Sequence, residues 1–275
     1  LFNRKKNAFP TGLKDRVVRY YKKRYPNIKF KTVDHREFKP RKAVPKIETI
    51  ELNGIQLRPH QIKASNEMLK KKHGVLWAST NSGKTACAIA VIKALDEPAL
   101  FLVKGKDLVV QTYKRFQKRL GKKDIGLIMS DKWKPGKFTI ASADTLARRF
   151  KPTRISSHAL ERKTQVEELL KSVKVVVIDE CHTLASDGLF SIVRYCNAPY
   201  RFGLSGTPFK RGDKQDLKLI ALTGEVIYRI TNKEMIEDGV SAPTDIVFVD
   251  INKPDIPPGT PYQEAYDDGI VYNIY

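Results

Sequence analysis

The stretch that most narrows what this chain can fold into is Ala78-Ser-Thr-Asn-Ser-Gly-Lys-Thr85, set between a short apolar run, Val75–Ala78, and a helical pattern from Ala86 to Leu95. Strand, loop, helix is the context in which a Gly-Lys-Thr loop wraps phosphate: backbone N–H groups line the loop and the helix turns its positive end to the anion. Further along, Val175-Val-Val-Ile-Asp-Glu-Cys-His182 reads as a strand that ends in two carboxylates and a histidine. A strand that is apolar without alternation is covered on both faces, as in a parallel sheet. The first element holds phosphates and the second holds magnesium and activates water, so the pair implies hydrolysis of a nucleoside triphosphate.

The rest of the chain fits that frame. Strands are expected at Val75–Ala78, Ala99–Val103, Ile125–Met129, Phe138–Ala141, Lys174–Asp179, Tyr200–Leu204 and Val226–Ile230. Helices are expected at Pro59–Lys72, Lys84–Leu95, Asp107–Leu120, Asp144–Phe150, Ala159–Lys171, Leu189–Cys196 and Lys214–Leu222. This alternation predicts an α/β fold: a parallel sheet with flanking helices, ligands sitting at the C-terminal strand ends. Before it, residues Thr11–Tyr25 carry Leu13, Val17 and Tyr20/Tyr21 at helical spacing, and Ile28–Thr32 alternates as a strand does. A small basic α+β module over residues 1–46 follows, closed by a proline-bounded linker at Pro40–Pro45. The main domain covers 47–243, and 244–275 is a short lead-out rich in proline, glycine and acids.

Charge separates the front from the rest. The formal net charge is +21; residues 1–46 hold 16 Lys or Arg against three acids, and the remainder holds 35 against 27. Such an excess points to a polyanionic partner, most simply nucleic acid. Tyr20, Tyr21 and Tyr25 are read as core and rim of the module, and Trp133, in a basic turn, as locally packed. No apolar run reaches the roughly 18–20 residues of a membrane span, and no membrane partner is expected. The three cysteines, Cys87, Cys181 and Cys196, lack metal-ligand spacing and read as reduced thiols of a cytoplasmic protein.

Within the phosphate loop, Gly83 lets the backbone come close, Lys84 reaches the β- and γ-phosphates, and the Thr85 hydroxyl ligates Mg²⁺. Ala78, Ser79, Thr80, Asn81 and Ser82 complete the ATP cradle, with Ala78 and Asn81 standing where glycines are usual. Asp179 holds Mg²⁺ through water, and Glu180 orients or deprotonates the attacking water.

Asp179-Glu-Cys-His182 resembles the acidic box of superfamily 2 helicases of the DExH type, and other pieces match in order. Leu57-Arg-Pro-His-Gln61 is similar to their glutamine motif, which implies that Gln61 bonds the adenine edge. Phe101–Thr112 is similar to motif Ia, Thr139–Leu146 to motif Ib and Gly203–Pro208 to motif III. The resemblance implies a RecA-like P-loop domain in which His182, Ser205 and Thr207 couple hydrolysis to movement. It also implies nucleic-acid contacts at Lys104, Lys106, Gln111, Thr112 and Arg148, although solvated helix residues look the same. Residues Phe2–Gly12 and Arg201–Gly206 further resemble bacteriophage UvsW-type branch-migration helicases, which act on forked and branched DNA.

That family carries a second RecA-like domain with an arginine finger, so this chain is expected to be truncated before it, to bind ATP and to hydrolyse it weakly. For a phage protein the expected compartment is the host cytoplasm. A duplex DNA translocase without strand separation, a DExH RNA helicase with RNA as partner, and a non-hydrolysing nucleic-acid-binding module are the alternatives. Oligomeric state is left open.

Overall fold

The computed structural model describes residues 8–29, 31, 33, 37–41, 43, 45–48, 51–79, 81–185, 187–209, 216–243, 247 and 256–271. The chain divides into two compact units, Leu1–Val240 and Ser241–Tyr275. In the first, helix α1 (Lys14–Arg24) follows a 3₁₀ turn at Thr11–Leu13. A hairpin of β1 (Glu51–Leu52) and β2 (Ile55–Gln56) leads to α2 (Pro59–Lys71). Then come β3 (His73–Ala78), α3 (Lys84–Leu95), β4 (Ala99–Val103), α4 (Lys106–Leu120), β5 (Ile125–Met129), β6 (Lys132–Lys134) and β7 (Phe138–Ser142). The unit continues with α5 (Ala143–Phe150), α6 (Ser157–Ser172), β8 (Val175–Ile178), α7 (Asp187–Tyr195), β9 (Tyr200–Ser205), α8 (Asp216–Thr223), β10 (Val226–Ile230) and α9 (Asn232–Glu237). The second unit contains α10 (Tyr262–Tyr266), which runs on as a π-turn over Asp267–Val271.

Eight strands form one sheet in the order β10-β3-β9-β8-β4-β7-β5-β6. Every neighbouring pair is parallel except β5–β6, where Lys132–Lys134 folds back against Leu127–Met129. The expected basic turn around Trp133 is thus an antiparallel edge strand. Strands β4, β7 and β8 are buried along their whole length, as continuous apolar runs require. One core cluster joins the sheet to α2, α3 and α4; a second packs α5, α6, α7 and α8 on the opposite face. The local sequence supports these elements. Ser142 and Ser156 cap α5 and α6 by accepting from the backbone N–H three residues on, and Thr231 with Glu234 forms a capping box at α9.

The order of strands positions the site. β3, β9 and β8 are adjacent, with Trp77 in register with Ser205 and Ile178 with Gly203. Their C-terminal ends therefore bring together the Gly-Lys-Thr loop, the acidic pair and the Ser205 turn, although 119 residues lie between Thr85 and Ser205.

The front of the chain differs from expectation. Leu13 packs against Ile220 and Ala221 of α8 with Phe9 and Val17 around it. Gly12 lies so close to the Ile220 and Ala221 carbonyls that no side chain fits there. α1 itself buries no residue, and Tyr20, Tyr21 and Tyr25 are exposed rather than core. Ile28, Lys29 and Lys31 are not in a strand, while Phe30 and Thr32 lie outside the described residues. Among the described residues no helix is long and apolar enough to cross a membrane.

Candidate functional site

The phosphate loop leaves β3 at the buried Ala78 and turns on two left-handed residues, Asn81 (φ 66°) and Gly83 (φ 82°). Asparagine tolerates that conformation better than other side-chain-bearing residues, which explains how Asn81 replaces a glycine. Ser82 Oγ donates to the Ser79 carbonyl across the turn at 2.7 Å, and Ser79 Oγ reaches Met235 Sδ at 3.2 Å. Thr80 lies outside the described residues. A methyl on Gly83 would overlap Gln61 Nε2, so glycine is required there by both backbone and space.

Lys84 opens α3 and points its ammonium at Glu180, with Nζ 3.0 Å from Oε1. Glu180 sits at φ 45° in the turn after β8, and its other oxygen lies 3.3 Å from His182 Nδ1. The same His182 nitrogen is 2.9 Å from Ser205 Oγ, which also accepts from the Thr207 N–H at 3.1 Å. Lys84, Glu180, His182, Ser205 and Thr207 thus form one connected chain of contacts across three strands. Trp77 adds a link that the motifs do not reveal: its indole N–H donates to the Gly206 carbonyl at 2.9 Å, with Arg229 stacked over the ring at 4.4 Å. Beneath these strand ends, Gly203 faces Cys181, whose Sγ would lie 2.8 Å from any Cβ placed on Gly203.

Asp179 is held by backbone bonds: its N–H donates to the Leu102 carbonyl at 2.9 Å, and its carboxylate accepts from the Glu180 N–H at 3.1 Å. Burial, reinforced by the neighbouring Glu180 charge, pushes its pKa above the usual carboxylate value, with Lys84 and Arg115 pulling the other way. A buried carboxylate in this condition is stabilised by a cation. Arg115, on α4, places Nη1 3.3 Å from Thr85 Oγ1; it is a basic residue at the site that sequence reasoning missed. The hard oxygens of Thr85 and Asp179 suit Mg²⁺, which prefers such ligands together with substrate phosphates, and these two side chains would hold it. When bound, the ion would neutralise phosphate charge.

Gln61 is turned inward. Its Oε1 accepts from the Arg58 N–H at 3.0 Å and its Nε2 donates to the Ser82 carbonyl at 3.1 Å. Both polar atoms of Gln61 are thus engaged within the chain, and the expected adenine contact would have to coexist with this grip on the loop. Of the expected nucleic-acid residues, Lys104, Lys106, Gln111 and Arg148 are exposed. Thr112 is not: it is 5% exposed, on the inward face of α4 with Val109 and Phe116. The helical spacing of those three positions carried this signal, and Thr112 is removed from the surface set. Arg149 is buried beneath Trp133 and donates to the Ser130 carbonyl at 3.2 Å, a packing role. The three cysteines are buried free thiols.

Comparison with known proteins agrees with this geometry. Residues 54–210 match the ResIII family, described as type III restriction enzyme, res subunit. Over 181 residues, 66% of the chain, the sequence is 29% identical to the DNA 3'-5' translocase XPB2 of Sulfurisphaera tokodaii, and it spans 37% of that protein's length. The UvsW helicase from bacteriophage T4 has the same fold, with a TM-score of 0.64 at 17% identity over 84% of this chain and 82% of that one. The SWI2/SNF2 ATPase core of Sulfolobus solfataricus, solved in complex with dsDNA, gives a TM-score of 0.50 at 18% identity over 65% of this chain and 38% of that one. With its Gly-Lys-Thr loop, acidic pair and Ser205 turn assembled on one mostly parallel RecA-like sheet, the chain belongs to the type III restriction enzyme res-subunit family of superfamily 2 helicases.

Proposed function

We propose that this chain binds ATP and Mg²⁺ at the Ala78–Thr85 loop and uses hydrolysis to drive movement on DNA, as the motor part of a helicase that remodels forks or junctions. The observation that carries the reading is the continuous contact chain from Lys84 through Glu180 and His182 to Ser205. In it, Lys84 is placed to grip the phosphates. Glu180 is placed to orient the attacking water, and His182 passes a change at Glu180 to the turn that follows β9. Residues 47–243 supply this motor. Residues 1–46 supply a basic DNA contact, supported by the exposed groove of Arg16, Arg19, Tyr20 and Lys23 beside Glu225. Residues 244–275 lead out of the motor. Exposed Lys104, Lys106, Gln111 and Arg148 lie near the strand ends and fit backbone contacts, which are largely independent of sequence. On this reading the 275 residues alone hydrolyse ATP slowly and nucleic acid stimulates them only in part, because full stimulation needs the second motor domain that the resemblance implies.

A second reading, translocation along duplex DNA without strand separation, is favoured by the likeness to XPB2 and to the SWI2/SNF2 core. The deciding experiment measures Mg²⁺–ATP hydrolysis by the chain and by its Lys84→Ala variant with no nucleic acid, single-stranded, duplex or forked DNA, and RNA. Strongest stimulation by forks supports the branched-DNA reading, and stimulation by plain duplex supports the translocase. Equal hydrolysis of ATP by wild type and Lys84→Ala refutes the assigned site.

A further inference from the structure

The Ser82 carbonyl of the phosphate loop meets two side chains of α2, and one of them is anchored far away in the sequence. It accepts from Gln61 Nε2 at 3.1 Å and faces His60 Nε2 at 3.2 Å, both from the first turn of α2. A trans peptide is planar, so a carbonyl drawn toward α2 turns the N–H of the next residue, Gly83, the opposite way. Glycine imposes little steric restraint on that rotation. The direction of this N–H, one of the donors a phosphate loop depends on, is therefore set by the donors that pin Ser82.

Gln61 is steadied locally by Arg58. His60 is steadied from the far end of the unit, where its Nδ1 is paired with the Asp238 carboxylate at the C-terminal cap of α9. The His60 side chain is 3% exposed and that of Asp238 is 29% exposed. Carbonyl and carboxylate are both acceptors, and the ring stands between them with one nitrogen toward each. α9 touches the loop a second time through Met235, which receives the Ser79 hydroxyl.

Building on the nucleotide reading above, we propose that His60 and Asp238 are positioning residues of the nucleotide site: Asp238 fixes the imidazole, the imidazole fixes the Ser82 carbonyl, and the carbonyl aims the Gly83 N–H at phosphate. Asp238 lies outside every motif yet acts on nucleotide affinity without touching the nucleotide.

The test titrates a fluorescent ADP analogue with Mg²⁺ against the full chain, its Asp238→Ala, Asp238→Asn and His60→Ala variants, and the double variant His60→Ala/Asp238→Ala. Asp238→Ala should weaken binding about three- to tenfold, the range expected for loss of one hydrogen bond that orders a site. Asp238→Asn keeps an oxygen acceptor and should recover most of that loss. The double variant should bind no more weakly than His60→Ala, because both lesions break one strut. Wild-type affinity in Asp238→Ala, an Asn variant as weak as the Ala variant, or multiplied losses in the double variant would overturn the proposal. If His60→Ala does not fold, the two Asp238 variants decide the matter on their own, with thermal unfolding confirming that they are intact. A wild-type chain that bound no nucleotide would overturn the nucleotide reading and this inference together, whereas normal wild-type binding with an indifferent Asp238 would sink only the inference.

Discussion

Replacing Glu180 with Gln should push binding and turnover in opposite directions. In the structure Lys84 Nζ lies 3.0 Å from Glu180 Oε1, with the two side chains 12% and 41% exposed. Phosphate needs the same ammonium, so nucleotide can bind only by parting this pair. A partly exposed ion pair is worth about 0.2–1 kcal/mol, so removing it should tighten ADP or ATP binding by up to about fivefold. The loss of a negative charge beside the phosphates acts in the same direction. Gln matches Glu in size and is no worse at φ 45°, so the turn is preserved. Turnover should nevertheless fall about 10²- to 10⁴-fold, because an amide cannot take the proton of the attacking water. Equilibrium titration with a fluorescent nucleotide reads the first effect and single-turnover hydrolysis the second. In a Lys84→Ala background the tightening should shrink to the share that the lost negative charge alone contributes. Weaker binding in Glu180→Gln, or tightening undiminished without Lys84, would refute the idea that the carboxylate competes with phosphate.

Gly83→Ala should lose at least about tenfold in nucleotide affinity and lower the unfolding midpoint, because a left-handed alanine costs about 1–2 kcal/mol and its methyl displaces Gln61; unchanged affinity in a titration would count against the loop geometry. Asp179 has a pKa raised above 3.8, first by burial and then by Glu180. Its contribution to stability is therefore present below pH 3.8 and is lost as pH rises through the raised folded value. Asp179→Asn should match wild type in acid, gain stability over it as pH rises toward neutral without Mg²⁺, and lose the stabilisation that Mg²⁺ with nucleotide confers; denaturant unfolding at several pH values checks this, and a gain confined to acid would contradict it.

The parts of this molecule that were legible in the sequence are those decided by local pattern. Val175–Ile178 announces a doubly covered strand because none of its residues is polar, and Ala86–Leu95 announces a packed helix because Lys93 is its one polar residue; seven of its positions are buried. Residue type and order also carry the expectation of phosphate and Mg²⁺ chemistry at Lys84, Thr85, Asp179 and Glu180, and the structure brings Lys84 and Glu180 together. What was hidden depends on a partner distant in sequence. The β6 edge strand is only three residues long and exists because β5 offers it a ladder. The reach of Arg115 to Thr85 depends on how α4 lies beside α3, and the tie from His60 to Asp238 spans 178 residues. The exposure of the α1 tyrosines follows from docking: only Leu13 and its neighbours enter the groove on α8, which leaves the rest of the helix outside.

The packing of Gly203 against Cys181 has a bearing on the lineage of this protein. One residue lies in β9 just before the Ser205 turn and the other directly follows the acidic pair, and together they fill a space that admits one side chain. An alanine at 203 requires something smaller than cysteine at 181, and a bulkier residue at 181 has no room while the sheet keeps its spacing. Descendants of this sequence should therefore change at the two positions in matched steps, so that drift at one is recorded at the other.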